Sequence, residues 1–256
     1  GYYQWGVYYR KDLFDQLGLN VPRDWDEFKW VCAMLKKNGI TPITIGTKFL
    51  WTAGGWFDYL NLRINGYQFH MDLTAGKVSY EDPRLDAVFD HWRELIDPGY
   101  FLEDHASFSW QDAQAPQING EAAMYLIGNF YVPTFEAAGI GDQMDFFQFP
   151  TIYEGVGVAE DAPTDTMHIP AGAKNVEDAK KFLAFMSNAG AAGEWAKIAG
   201  MLSPNKNAPK PENRFSIMGA KMLAAADDIA QFWDRDSNPD MALSLIHISE
   251  PTRLHC

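Results

Sequence analysis

The chain has 256 residues, 47% of them apolar and 21% charged, enough for a sizeable core and typical of a globular polypeptide. Its formal net charge of −13 argues against nucleic acid and anionic membrane surfaces as partners and favours a neutral ligand. No stretch approaches the roughly 18 apolar residues of a membrane span, while aromatic residues reach 14%, nine of them Trp.

The chain opens on an aromatic, β-branched run that predicts a strand over 5–9. A short helix over 11–17 follows, closed by Gly18. Asp24 then caps a helix, with Glu27 three residues on as a capping box. Phe28, Val31, Cys32 and Leu35 form its apolar face and Gly39 ends it. Residues 43–45 read as a buried strand. A helix over 54–66 begins at Gly54-Gly55 and carries Trp56, Tyr59, Leu60 and Ile64 near one stripe. Asp82-Pro83 starts another helix, lined by Leu85, Val88, Phe89, Trp92 and Ile96. Residues 110–118 predict a helix stopped at Asn119-Gly120, with Trp110 as an N-terminal staple to the core. Strands are expected over 122–127 and 146–149. Asn175 caps a helix with Ala179, Phe182, Leu183 and Met186 on its apolar side. A Pro-rich connection over 203–212 leads to a helix over 215–226 and then to F-W-D-R-D at 232–236. Strands alternating with helices imply a layered α/β architecture.

Residues 243–253 read L-S-L-I-H-I-S-E-P-T-R, which back-translates into the transposase adapter of sequencing libraries. Residues 243–256 are therefore taken as a non-native tail, outside fold reasoning. The start lacks Met and a signal sequence, so the chain reads as a fragment cut at both ends. With Cys256 in the tail, Cys32 is left alone, and no disulfide is expected in the natural part. Cys32 reads as a small buried hydrophobe.

Three blocks carry the most information: A-G-G-W-F-D-Y-L-N-L-R at 53–63, E-A-A-M-Y-L-I-G-N-F at 121–130, and D-A-P-T-D-T-M-H-I-P-A-G-A-K-N at 161–175. Each sets a Trp, Phe, Asn or Asp beside a Gly, Pro or Thr turn. Flat apolar rings next to short polar groups suit a ligand with apolar faces and a hydroxylated rim, as a sugar has. In order and character the blocks resemble the family-1 extracellular solute-binding proteins of bacterial sugar ABC importers, from about residue 5 to about residue 240.

The resemblance implies a periplasmic-binding-protein-like fold of two α/β lobes joined by hinge strands, with sugar held between them. Residues 1–10 would be a hinge strand, 11–165 and 203–242 the C-terminal lobe, and 166–202 a piece of the N-terminal lobe. It further implies capture without catalysis and no cofactor. The partners would be a carbohydrate and ABC permease subunits, not nucleic acid, and the full-length protein would be a monomer. The location would be periplasmic, or the cell surface as a lipoprotein.

Aromatic rings pack on the C–H faces of a pyranose, and Asp, Asn and Arg bond its hydroxyls. Trp56, after two glycines, is the expected stacking residue. Asp58 shares its helix with Tyr59 and Arg63 and is the expected hydroxyl partner. Asn129 and Phe130 fill the turn where the maltose-binding branch of the family carries a sugar-facing aromatic; here it reads G-N-F rather than G-P-W. Asp165 precedes the second hinge crossing and is expected to project into the cleft. Trp5 on the hinge, Trp51 before Trp56, and the rim cluster Trp233, Asp234 and Arg235 complete the set. The competing explanations are a core Trp, a solvated helix face for Asp58, a turn-forming Asp165 and a surface ion pair.

The rival function is a glycoside hydrolase, which needs two carboxylates about 5–9 Å apart across one bond. Asp58 and Asp165 are the pair to weigh. The sequence has no G-x-S-x-G elbow, H-E-x-x-H helix or phosphate-binding loop. His70, His91, His105 and His168 lack metal-ligand spacing. A carbohydrate-binding module, usually a β-sandwich, fits this helix-rich pattern poorly.

Overall fold

The computed structural model describes residues 1–238 and residue 240; the adapter-like tail and the end of the 203–242 segment lie outside them. In chain order the elements are β1 (Trp5–Arg10), α1 (Lys11–Leu17), α2 (Trp25–Lys37), β2 (Thr41–Ile43), α3 (Trp51–Ile64), α4 (Gly66–Thr74), α5 (Arg84–Ile96) and α6 (Gln114–Ile118). Then come β3 (Ala122–Gly128), α7 (Val132–Ala137), β4 (Met144–Phe147), β5 (Ala159–Asp161), α8 (Val176–Ser187), α9 (Ala189–Ala199), α10 (Arg214–Ala225), β6 (Asp228–Ala230) and α11 (Trp233–Asp236).

Local chemistry sets many of these boundaries. The Asp24 carboxylate accepts from Glu27 N at 2.9 Å, occupying one of the donors left over at a helix start. Glu27 reaches back to Arg23 N at 2.8 Å, one residue beyond the expected capping-box partner. Gly18 ends α1 at φ 64°, a conformation that costs glycine no Cβ clash.

The main sheet has the order β2-β3-β1-β4. Its central strands are antiparallel, with Trp5 opposite Gly128 and Tyr8 opposite Tyr125. Every residue of β1 and β3 is buried, so helices and loops cover both faces of the sheet. This pairing sets the start of β1 beside the end of β3, and the candidate site lies at that end of the sheet. A second, two-stranded parallel sheet joins β5 to β6, which aligns the residues after Asp161 with the turn leading into α11.

Two departures from the sequence reading matter for the site. Helix α3 begins at Trp51, not Gly54, after Leu50 turns the chain at φ 60°. Every residue from Thr52 to Ile64 is buried, so α3 is a core helix without a solvent face. The helix expected over 110–118 starts only at Gln114. Ser109 and Asp112 close a local turn instead, the Ser109 hydroxyl donating to Asp112 Oδ2 at 2.6 Å, and Trp110 is left outside the helix.

Helices α8 and α9 differ from the rest. None of the residues of α8 is buried, and Phe182, Phe185 and Ile198 are 56%, 60% and 66% exposed. The chain leaves and rejoins the main body at one place: Tyr2 bridges both Thr164 and Leu202. Cys32 is buried and free. Replacing both Phe182 and Phe185 with Ser should reduce binding of a hydrophobic dye. The melting temperature should barely move, because changes to solvated side chains stay within about 0.5 kcal/mol. A large fall in melting temperature would mean that this face is packed.

Candidate functional site

At the Trp5 end of the sheet lies a cleft of about 460 Å³. Its aromatic wall is built from four separate elements. Trp51 emerges from the first turn of α3, and Trp110 stands on the Ser109–Asp112 turn. Phe130 follows β3, its ring folded back over Gly128, where a Cβ would lie 2.3 Å from the ring. Tyr3 precedes β1. Trp51 meets Trp110 at 6.0 Å, and Trp110 meets Phe130 edge-on at 5.1 Å and 86°. Tyr3 packs on the same Phe130 ring at 5.0 Å. These edge-to-face contacts are the preferred geometry for ring quadrupoles, so the rings brace one another.

Trp5 and Phe232 form the floor, their rings 4.8 Å apart. Trp5 is only 1% exposed and supports the wall from behind. Both rings lie against Gly55: a Cβ there would meet Trp5 at 2.7 Å and Phe232 at 3.2 Å. The glycine pair in A-G-G-W thus admits the cleft floor to the surface of α3.

The polar rim comes from the β5–β6 side. Arg235 donates to Asp165 Oδ1 at 3.0 Å and to the Tyr3 hydroxyl at 2.7 Å, and also to the Thr164 carbonyl. Burial, opposed by the Arg235 charge, raises the Tyr3 phenol to about 12, so it stays a neutral hydroxyl. Asp234 also lines the cleft. Its Oδ1 is enclosed with no hydrogen-bond partner among the described residues. Burial raises its carboxyl above the ordinary value, with Arg235 pulling the other way. A buried acceptor without a donor is costly, and a ligand hydroxyl would satisfy it.

Of the ten residues expected from sequence, the cleft brings together Trp5, Trp51, Phe130, Asp165, Asp234 and Arg235. It excludes Trp56, Asp58, Asn129 and Trp233. Trp56 is 1% exposed and sealed by Phe101 and Phe149 at 5.1 and 5.7 Å. Asp58 is fully buried in the core and accepts from Trp233 N at 2.9 Å. Asn129 is fully buried, its N–H donating to the Gln4 carbonyl. Trp233 points inward, its indole N–H donating to Tyr80 at 2.7 Å. With Asp58 sealed, Asp58 and Asp165 cannot flank a glycosidic bond.

Five lining residues were not expected from sequence: Pro163, Met201 and the three aromatic residues Tyr3, Trp110 and Phe232. Trp110, expected in the core, is on the wall. Tyr3 was signalled by its i, i+2 spacing from Trp5, which shares one face of an extended chain. Phe232 immediately precedes Trp233 in the F-W-D-R-D run. A larger cavity of about 860 Å³ opens between α9, α7 and the 203–213 connection, but among the described residues Tyr2 is its only aromatic lining residue, so it offers little platform for a flat apolar face.

The family described as bacterial extracellular solute-binding protein matches residues 1–193, and the chain belongs to that family. It is 31% identical over 205 residues to an uncharacterized ABC transporter extracellular-binding protein of Pyrococcus horikoshii, covering 79% of this chain and 45% of the relative. It is 26% identical over 200 residues to the multiple sugar-binding protein of Streptococcus mutans, covering 76% and 48%. The chain thus spans about half the length of these relatives. Among solved structures it resembles the bacterial solute receptor AcbH, described as having an exclusive preference for β-D-galactopyranose. The TM-score is 0.87 with 33% identity, over 98% of this chain and 66% of that one.

The placement of Trp56 is directly testable. Trp56→Ala should cost roughly 3–5 kcal/mol of fold stability, as truncation of a core aromatic does. Chemical denaturation measures this, and a loss below about 1 kcal/mol would return Trp56 to the surface.

Proposed function

We propose that this member of the extracellular solute-binding family captures a neutral sugar for an ABC importer, without making or breaking a bond. The observation that carries the reading is the cleft: an aromatic wall facing a rim of Asp165, Asp234, Arg235 and Tyr3. A pyranose presents C–H faces to such rings and hydroxyls to such a rim. Charge-assisted bonds from carboxylates and a guanidinium are stronger than neutral ones and fix orientation.

The chain path supports a lobe assignment. Residues 11–165 and 203–242 form one lobe, and 166–202 belongs to the other. Two observations support this: Tyr2 bridges Thr164 and Leu202, as hinge segments running side by side would, and α8 presents an apolar face to solvent. Arg235 ties Asp165 to the first of these segments through Tyr3, so a ligand on the rim would bear directly on the hinge. Ligand binding would then shift a two-lobe equilibrium toward a closed form that docks on permease subunits. The full-length protein would act as a monomer outside the cytoplasm, either in a periplasm or as a surface lipoprotein, with no cofactor.

The similarity to a galactopyranose receptor makes D-galactose the first sugar to test. Calorimetric titration of the full-length protein should show binding. Trp51→Ala and Trp110→Ala should each weaken it by about 2 kcal/mol, close to thirtyfold. Asp234→Asn should cost about 1–2 kcal/mol. No binding across a panel of neutral mono- and oligosaccharides, or release of reducing sugar from a chromogenic glycoside, would overturn the reading.

A further inference from the structure

The aromatic wall stands on two loops that the binding scheme does not use. Residues 46–50 lead into Trp51, and residues 104–109 lead into Trp110. The loops run against each other. Thr47 N–H donates to the His105 carbonyl at 2.9 Å, and Lys48 N–H to the Phe108 carbonyl at 3.0 Å. The Thr47 hydroxyl and His105 Nδ1 lie 2.8 Å apart, the one side-chain hydrogen bond between these loops among the described residues. Gly46 permits the approach, because a Cβ there would lie 2.1 Å from the Ser109 carbonyl oxygen.

Both loops carry a strained residue. Leu50 at φ 60° and Asp104 at φ 57° are the only non-glycine residues with positive φ among the described residues. Such conformations persist only where the surroundings over-determine them, and they gather at ligand clamps. Dense packing does not hold Leu50, which lines a small cavity of about 150 Å³ together with Thr47, Ala53 and His105. Its backbone is held instead: Leu50 N–H donates to the Thr47 carbonyl at 2.9 Å. Each loop also has its own anchor in the core. The Thr52 hydroxyl donates to the Gly46 carbonyl at 2.6 Å, and the Tyr125 hydroxyl to the Trp110 carbonyl at 3.2 Å. Thr47 is therefore the point where the strained turn before Trp51 is tied to the loop before Trp110.

We propose that Thr47 and His105 are positioning residues of the cleft: their side-chain bond locks the two loops together and sets the spacing of the Trp51 and Trp110 rings. Those rings lie 6.0 Å apart. Neither Thr47 nor His105 lines the cleft, so both act through the indoles. Burial lowers the His105 imidazole from its ordinary value, and the lock at neutral pH is a bond between neutral groups. A supporting group that lets a site loosen by about 1 Å is enough to spoil it.

Circular dichroism of the full-length protein tests this, with Trp110→Phe as the reference that removes one indole of the pair. The exciton signal that Trp110→Phe abolishes should be reduced in His105→Ala and in Thr47→Val. His105→Asn, whose amide can take the place of Nδ1, should restore it. Loss of fold stability alone would lower the melting temperature without this pattern. The D-galactose arm rests on the sugar-binding reading: affinity should fall about tenfold in His105→Ala and Thr47→Val, the loss of one hydrogen bond, and stay within about twofold of wild type in His105→Asn. An unchanged exciton signal in the folded variants overturns the proposal. So does a loss that His105→Asn does not restore, or a lost signal with unchanged D-galactose affinity. Should His105→Ala fail to fold, Thr47→Val carries the test with Thr47→Ser as its rescue. Unfolding of both would make the pair a requirement of the fold and overturn the positioning role. If D-galactose does not bind the wild type, the sugar reading alone suffers, because the dichroism still decides whether this pair sets the indoles.

Discussion

Everything around the cleft depends on the complete burial of α3. Its residues from Thr52 to Ile64 are all out of solvent, although Asp58, Asn61 and Arg63 are polar. A helix buried on every side must find each polar group a partner inside the protein. Those partners determine what packs where. Arg63 pins the segment after β4 and the strand β5 to the helix through Phe149, Ala159 and Glu160. Asp58 pins the start of α11. The single Tyr59 hydroxyl proton is shared between the Trp5 carbonyl and Glu160, joining the main sheet to the small one. The cleft is the place where the two ends of this network reach the surface: Trp51 at the helix N-terminus and Arg235 past the α11 cap.

The same constraint explains what could and could not be read from the sequence. Caps and strands were legible because their signals are local: Asp24 and Asn175 accept from the third residue of their helices as expected, β1 carries no polar or charged group before Arg10 apart from the Tyr8 and Tyr9 hydroxyls, and β3 carries none apart from the Tyr125 hydroxyl. Six cleft residues were legible because they flank turns. Trp56 and Asp58 were not. A Trp after two glycines looks like a ligand platform, yet Phe28, Phe101 and Phe149 cover it from three distant parts of the chain. Burial of that kind depends on tertiary packing, which no window around residue 56 contains. Trp110 failed for the opposite reason, since a local Ser109–Asp112 turn outcompeted the helix.

The placement of charge follows the same division. Although the chain is strongly acidic, its cleft carries one arginine held between Asp165 and Tyr3. Three of its acids, Asp58, Glu160 and Asp161, are sealed in the interior. Placing charged groups around an aromatic wall gives orientation to the rim and apolar contact to the wall, two separate contributions to recognition. The apolar face of α8 lies away from this chemistry and is suited to packing rather than recognition.

The most direct test of the account is a crystal structure of the full-length protein with D-galactose or another bound sugar. One face of a pyranose should lie against Trp51, Trp110 and Phe130, with hydroxyls on Asp165, Asp234 or Arg235, and Trp56 should still be covered by Phe101 and Phe149. A sugar seated instead between α9 and the 203–213 connection, or stacked on an exposed Trp56, would contradict it.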